Sequence, residues 1–140
     1  MGREWQDGAD NFMGSTLVRP GYGDPAVPSL ALLAGLALYQ TAIELCGGSD
    51  GFHLKWPNDL MQGAAKVAGI LLESQDGVIV VGIGVNLVSA PVIAGRETAS
   101  LCAAQPVSRD QFAELLAKSF DAELERWRSA GVAPLIRRWQ

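Results

Sequence analysis

Basic runs, cysteine clusters and a long unbroken apolar tract are all missing from this 140-residue sequence. Its 11 Lys and Arg are scattered and outnumbered by 15 Asp and Glu, which leaves a formal charge of −4. A surface that neutralises many phosphates of DNA or RNA is therefore not expected, whereas a small anion needs only a local site. The two cysteines, Cys46 and Cys102, stand far apart with no C-x-x-C spacing and no Cys/His cluster. Neither a disulfide framework nor a zinc site is expected, and a reducing cytoplasm fits best. His53 has no histidine companion and reads as an ordinary strand residue. The longest apolar stretch, Leu30 to Leu38, gives way to Tyr39, Gln40 and Thr41, short of the ~20 residues that a membrane span requires. Met1 is followed by polar Gly2-Arg3-Glu4-Trp5-Gln6-Asp7, so no secretory signal is read either.

What is present is a sequence that is 49% hydrophobic and 19% charged, which excludes disorder for the chain as a whole. A single domain over residues 1–140 is expected, with a radius of gyration of roughly 14 Å. Asn11 to Arg19 reads as a strand that contains Gly14. A helix is predicted from near Ser29, with Leu30, Leu33, Ala34, Ala37, Leu38, Thr41 and Leu45 on one stripe and Gly47-Gly48 as its left-handed stop. Phe52-His53-Leu54-Lys55-Trp56 alternates like a strand running into a Pro57-Asn58-Asp59 turn. Val67–Glu73 and Val78–Val85 flank Asp76-Gly77, a strong hairpin signal. Ser89 to Pro106 lacks periodicity and reads as a long surface loop. Ser108 with Gln111 makes a capping-box pattern, and Phe112, Leu115, Leu116, Phe120, Leu124 and Trp127 trace one helical face. Gly131 ends that helix, and Pro134–Trp139 is a short last one. Arg126, Arg128, Arg137 and Arg138 read as a solvated face.

Two segments carry candidate chemistry. Lys55, on a strand and followed at once by Trp56-Pro57-Asn58-Asp59, is a point charge held by a rigid turn, suited to an oxyanion or a phosphate. The plainer alternative is a surface lysine before a β-turn. Gly82-Ile83-Gly84-Val85-Asn86-Leu87 begins like a dinucleotide loop, but Leu87 stands where the third glycine belongs and no helix follows. Its glycines would instead let a ligand or a neighbouring strand approach the backbone, with Asn86 offering a two-sided amide; a tightly packed strand end is the alternative.

Taken in order, Gly2-Arg3-x-Trp5, Asn11-Phe12-Met13-Gly14-Ser15, Leu54-Lys55-Trp56-Pro57-Asn58-Asp59-Leu60, Lys66-Val67-Ala68-Gly69-Ile70-Leu71-Leu72-Glu73 and Gly82–Leu87 resemble the catalytic core of biotin protein ligases. The match extends over most of residues 2–87, and the tail from Ser108 resembles the helical end of the same domain. The resemblance implies an α+β fold, a central mixed sheet backed by helices like that of class II aminoacyl-tRNA synthetases. It also implies a two-step reaction, in which biotin and Mg·ATP give biotinyl-5′-adenylate and a lysine of a carboxylase carrier domain then takes the biotinyl group. By the same resemblance Lys55 and Arg3 would handle the carboxylate and α-phosphate, Trp5 the adenine, Lys66 the phosphates and Asn86 the adenylate. The backbone at Gly69, Ile70 and Leu71 would line the biotin pocket, and Asp50 is the acidic candidate near the incoming amine. The family's longer Gly/Arg loop ahead of the tryptophan is reduced to Gly2-Arg3, so the domain is expected to be N-terminally incomplete. A DNA-binding domain and a C-terminal barrel are absent from the sequence, so no operator binding is expected, and a homodimer through sheet edges is. A lipoate-type ligase and a catalytically deficient binding module are the alternatives.

Overall fold

The computed structural model describes residues 10–48, 51–101 and 107–139. Along the chain run β1 (Phe12–Val18), a single 3-10 turn (Val27–Ser29), α1 (Leu30–Cys46), β2 (Phe52–Lys55), β3 (Asp59–Gln62), β4 (Ala65–Gln75) and β5 (Val78–Val85), then α2 (Arg109–Ala130) and α3 (Ala133–Trp139). The strands form one sheet in the order β1-β5-β4-β3-β2. Among the described residues each neighbouring pair is antiparallel, so the α+β class holds but the mixed pairing expected from the sequence is not found there. The reason is connection length: short hairpins join β2, β3, β4 and β5, and a parallel pair would need a long crossover. Among the described residues the one parallel pairing is an isolated bridge between Lys66 and Thr98.

The helices cover one face of the sheet. Phe12, Val18, Leu60, Ala68, Ile70, Ile79, Val81, Ile83 and Val85 point into a core shared with α1 and α2. Ring centroids of Phe12 and Phe112 lie 5.2 Å apart across the layers. Ser108 Oγ accepts from the Gln111 N–H at 3.1 Å, as the capping pattern predicts. Trp127, fully buried on α2, donates from Nε1 to Ser29 Oγ at 2.7 Å, fastening the start of α1.

Burial around α1 goes beyond the single stripe expected: Leu32, Gly35 and Leu36 are buried along with Leu30, Leu33, Ala34, Ala37 and Leu38. By length and composition the 20 residues Val27–Cys46, with a mean hydropathy of 1.5, are enough to cross a membrane, which corrects the shorter apolar stretch counted from sequence. Here the helix is packed against β2, β3, β4, β5 and α2 as the central element of the core. Burial of each leucine contributes roughly 1.5–3 kcal/mol. Gly47 closes it with φ 73°, in the region where glycine meets no Cβ penalty. Cys46, its last residue, is disulfide-bonded, against the expectation of no disulfide; separation in sequence says little about proximity in the fold.

The arginines at the C-terminal end are also not the plain solvated face expected. Glu123 is only 2% exposed and is held by Arg126 Nη1 at 2.8 Å and Arg138 Nη1 at 2.7 Å. Arg138 thereby ties α3 to α2. The Glu123 hydrogen bond raises the Arg138 pKa, opposed by burial and reinforced by the carboxylate's charge. Arg128 reaches Asp24 and the carbonyl of Arg19.

Candidate functional site

Opposed residues of antiparallel strands share a face, so the register defines what lies on the side of the sheet away from the helices. One row crosses all five strands: Lys55 opposite Asp59, Asp59 opposite Gly69, Gly69 opposite Gly84 and Gly84 opposite Met13. Two adjacent glycines at its centre, both buried, leave a strip of backbone without side chains of its own. The next row, Leu71, Gly82 and Ser15, keeps a third glycine beside them. The neighbouring row on the core face is Leu54, Leu60, Ala68, Val85 and Phe12. Alternation of apolar and small residues thus separates a packed face from a bare one.

Over this strip lies a trough of about 290 Å³, whose lining includes Lys66, Gly69, Ile70, Leu71 and Asn86 together with Asn11, Met13, Asn58, Arg96 and Thr98. Its size is at the lower end for ligand pockets. Five of the residues expected from sequence are therefore brought together. Lys55 does not line the trough; it is exposed at the far end of the same row, two strand spacings or roughly 10 Å from Gly69. Arg3, Trp5 and Asp50 lie outside the described residues. His53 is an exposed residue of β2.

Lys66 owes its position to a bulge. Register shifts between Leu60 and Met61, so that Leu60 faces Ala68 while Met61 faces Lys66, with Val67 the extra residue. A bulge of this kind re-aims a side chain. Lys66 Nζ comes to 2.8 Å from Asp59 Oδ1, an ion pair whose angle is not that of a hydrogen bond, so that oxygen has no hydrogen-bond donor.

Three asparagines set the walls. Asn58 brackets Ile70 from both sides: its Nδ2 donates to the Ile70 carbonyl at 2.7 Å, and the Ile70 N–H donates to the Asn58 carbonyl at 2.9 Å. Asn86 donates from Nδ2 to the carbonyls of Ala99, at 3.2 Å, and Lys66, at 3.5 Å. The donor half of the amide expected to be two-sided is therefore spent on backbone. The segment Glu97–Ala99 is zipped to Lys66, whose N–H donates to Glu97 O and whose carbonyl accepts from the Ala99 N–H. The supposed surface loop after Ser89 thus forms a wall of the trough, and Leu101 within it is fully buried.

Asn11 was not anticipated as a site residue. Its Oδ1 accepts from the N–H groups of Leu87, Val88 and Ser89 at 3.0, 2.8 and 3.2 Å, and its Nδ2 donates to the Ser89 carbonyl at 2.8 Å. One buried amide thereby turns the chain off β5 just after Asn86. Arg96 was likewise missed, having no motif around it.

A helix-backed antiparallel sheet carries a glycine-floored trough on its other face, lined by Lys66 and Arg96 among others, which is a candidate small-molecule site. No protein-family model matches the chain. The biotin–[acetyl-CoA-carboxylase] ligase of Paracoccus denitrificans is 37% identical over 153 aligned residues, covering 99% of this chain and 62% of that enzyme. The solved biotin protein ligase of Aquifex aeolicus in complex with biotin and ATP superposes with a TM-score of 0.87 at 22% identity, covering 99% of this chain and 60% of that one. That of Leishmania major in complex with biotinyl-5-AMP gives 0.82 at 24% identity, covering 99% and 63%. At these identities the two superpositions speak for the fold. Sequence and structure together support a biotin protein ligase catalytic domain. The chain spans about three fifths of the length of these relatives.

Proposed function

We propose that the chain is the adenylate-forming core of a biotin–protein ligase. Biotin's carboxylate attacks the α-phosphorus of Mg·ATP, pyrophosphate leaves, and a lysine amine of a carboxylase carrier domain then displaces AMP from the mixed anhydride. The observation that carries the reading is the row Lys55, Asp59, Gly69, Gly84 and Met13, in which bare backbone lies between a lysine at the rim and the apolar Met13. A flat, largely apolar vitamin would lie on the Gly69–Gly84 strip, with Leu71 and Met13 against it. Its carboxylate would point toward Lys55 and Lys66. Lys55, exposed and adjoining a turn bolted to Ile70 through Asn58, is the cation free to approach two anionic groups together and to offset the charge that builds as they join. Lys66, already paired with Asp59, would hold phosphate oxygens from a fixed position. Asn86 would reach the adenylate through its carbonyl oxygen, since its nitrogen is engaged. Arg3 and Trp5 keep their proposed roles, over the phosphate and against the adenine, on the family resemblance alone.

Mg²⁺ would arrive on the triphosphate as part of the substrate, and Asp59 is the carboxylate best placed to meet it. The proposal extends to a cytoplasmic location, where ATP and carrier domains coexist; the disulfide at Cys46 weighs on the other side. It includes a homodimer through a sheet edge, for which β1, an edge strand among the described residues, is the candidate. A monomeric mass by light scattering at tens of micromolar would remove that part. The reading is tested by biotin-dependent exchange of labelled pyrophosphate into ATP, with lipoate in parallel; exchange driven by lipoate and not by biotin would overturn it.

A further inference from the structure

The turn that follows Lys55 is gripped from the side of the helices as well as from the sheet. Trp56 presents its ring edge-on to Trp139 of α3, with centroids 6.0 Å apart and planes at 74°. Trp139 is itself anchored. Its Nε1 donates to the Leu32 carbonyl on α1 at 2.9 Å. Its ring lies so close over α1 that a Cβ built on Gly35 would stand 2.8 Å from its Cζ2 and 3.5 Å from Leu54 Cδ2. Leu54 and Trp56 are the two neighbours of Lys55 in sequence, so the indole of Trp139 contacts the chain on one side of that lysine and lies over the site that faces it on the other. Behind it, Arg138 holds α3 to the buried Glu123 at 2.7 Å.

Trp56 is 67% exposed, so the pair buries too little surface to matter much for stability. What it does is fix the direction in which β2 hands the chain to the turn, while Asn58 fixes the turn's other end on Ile70. Lys55 ends β2, an edge strand among the described residues, with an exposed side chain. Resting on the reading of Lys55 above, we propose that Trp139 is a positioning residue for Lys55, that Trp56 transmits its hold, and that Gly35 is without a side chain because the indole occupies that space.

The test uses pyrophosphate exchange by the native protein, with the melting temperature measured on every variant. Trp139→Leu is expected to lower kcat about tenfold or more with KM for biotin and ATP changed by less than about twofold, since an interaction realised in the transition state is lost. Trp139→Phe keeps a ring over Gly35 and restores kcat to within about threefold of the wild type. Trp56→Leu removes the same contact from its exposed side, so it leaves the melting temperature unchanged and lowers kcat as Trp139→Leu does. The double variant is no slower than the slower single one, because one contact has been removed twice. Unchanged kcat in Trp56→Leu, or losses that multiply in the double variant, would overturn the positioning role. A wild type that shows no biotin-dependent exchange would overturn the ligase reading itself, and the positioning role with it, before any variant is compared.

Discussion

Asn11→Ala is the substitution whose consequence the structure defines most fully. The side chain is 6% exposed and its oxygen is the acceptor for three successive N–H groups, those of Leu87, Val88 and Ser89. Alanine leaves all three without it. Val88 and Ser89 are exposed, so water replaces the lost acceptor there and each bond lost costs about 0.5–1 kcal/mol. Leu87 is 3% exposed, so its N–H goes unsatisfied in the interior, at about 1–3 kcal/mol. The sum is about 2–5 kcal/mol of destabilisation. With a urea dependence of about 2 kcal/mol/M, the midpoint falls by about 1–2.5 M. Equilibrium urea unfolding gives the magnitude, and amide hydrogen exchange gives the location, since protection should fall at residues 87–89 before it falls in β4 or α1. Ser89→Ala is the control, removing only a 3.4 Å contact to Oγ. A loss below about 1 kcal/mol for Asn11→Ala, or unchanged protection at Leu87, would refute the claim that this amide shapes the segment after Asn86.

Other outcomes follow from the same geometry. Lys66→Met strips Asp59, whose side chain is only 16% exposed, of its cation; thermal unfolding should show about 1–3 kcal/mol of destabilisation, much of it recovered by adding Asp59→Asn. Gly84→Val places a side chain at the buried centre of the row, at a residue without positive φ; urea unfolding should show a cost of about 1–3 kcal/mol for the added bulk, and calorimetric titration of the folded variant with biotin should show binding abolished. Arg138→Ala leaves Glu123 with Arg126 alone and should destabilise by about 1–2 kcal/mol by urea unfolding, a figure discounted because Arg138 is 38% exposed. The raised Arg138 pKa means its contribution is complete below the ordinary arginine range and lost only as pH rises through a still higher value. The wild-type minus Arg138→Ala difference should therefore stay flat from about pH 6 to 9 as far as Arg138 itself is concerned.

Long elements were legible in the sequence because local and tertiary preferences agree in them. The β4–β5 hairpin turns at Asp76 and Gly77, both at positive φ, as the Asp-Gly pair predicts, and Ser108 caps α2 as its pattern predicts. β3 was not legible: Asp59-Leu60-Met61-Gln62 is four residues long and begins inside a turn signal, and only pairing with β2 and β4 makes it a strand. Missing it hid the row that joins Lys55 to Gly69, and with it the all-antiparallel pairing. Lys66, Gly69 and Asn86, which line the trough, were singled out because they sit in specific motifs. Asn11 and Trp139 act on partners 76 and 107 residues away along the chain, and no local spacing marks such contacts; Arg96 lines the trough from a segment that carries no motif. Arg138 was misread for the same reason, since its partner Glu123 sits on another helix.

The claim at the centre of this account is that the open-face row ending in Lys55 joins biotin to a nucleotide. Lys55 is exposed and outside the core, so Lys55→Ala should keep the parent's stability within about 0.5 kcal/mol, and any loss of activity is then chemical. The most direct measurement is biotin-dependent pyrophosphate exchange in the native protein and in Lys55→Ala, side by side. The account predicts exchange in the first, with biotin and not with lipoate, and none above background in the second. Full exchange in a folded Lys55→Ala variant would contradict it.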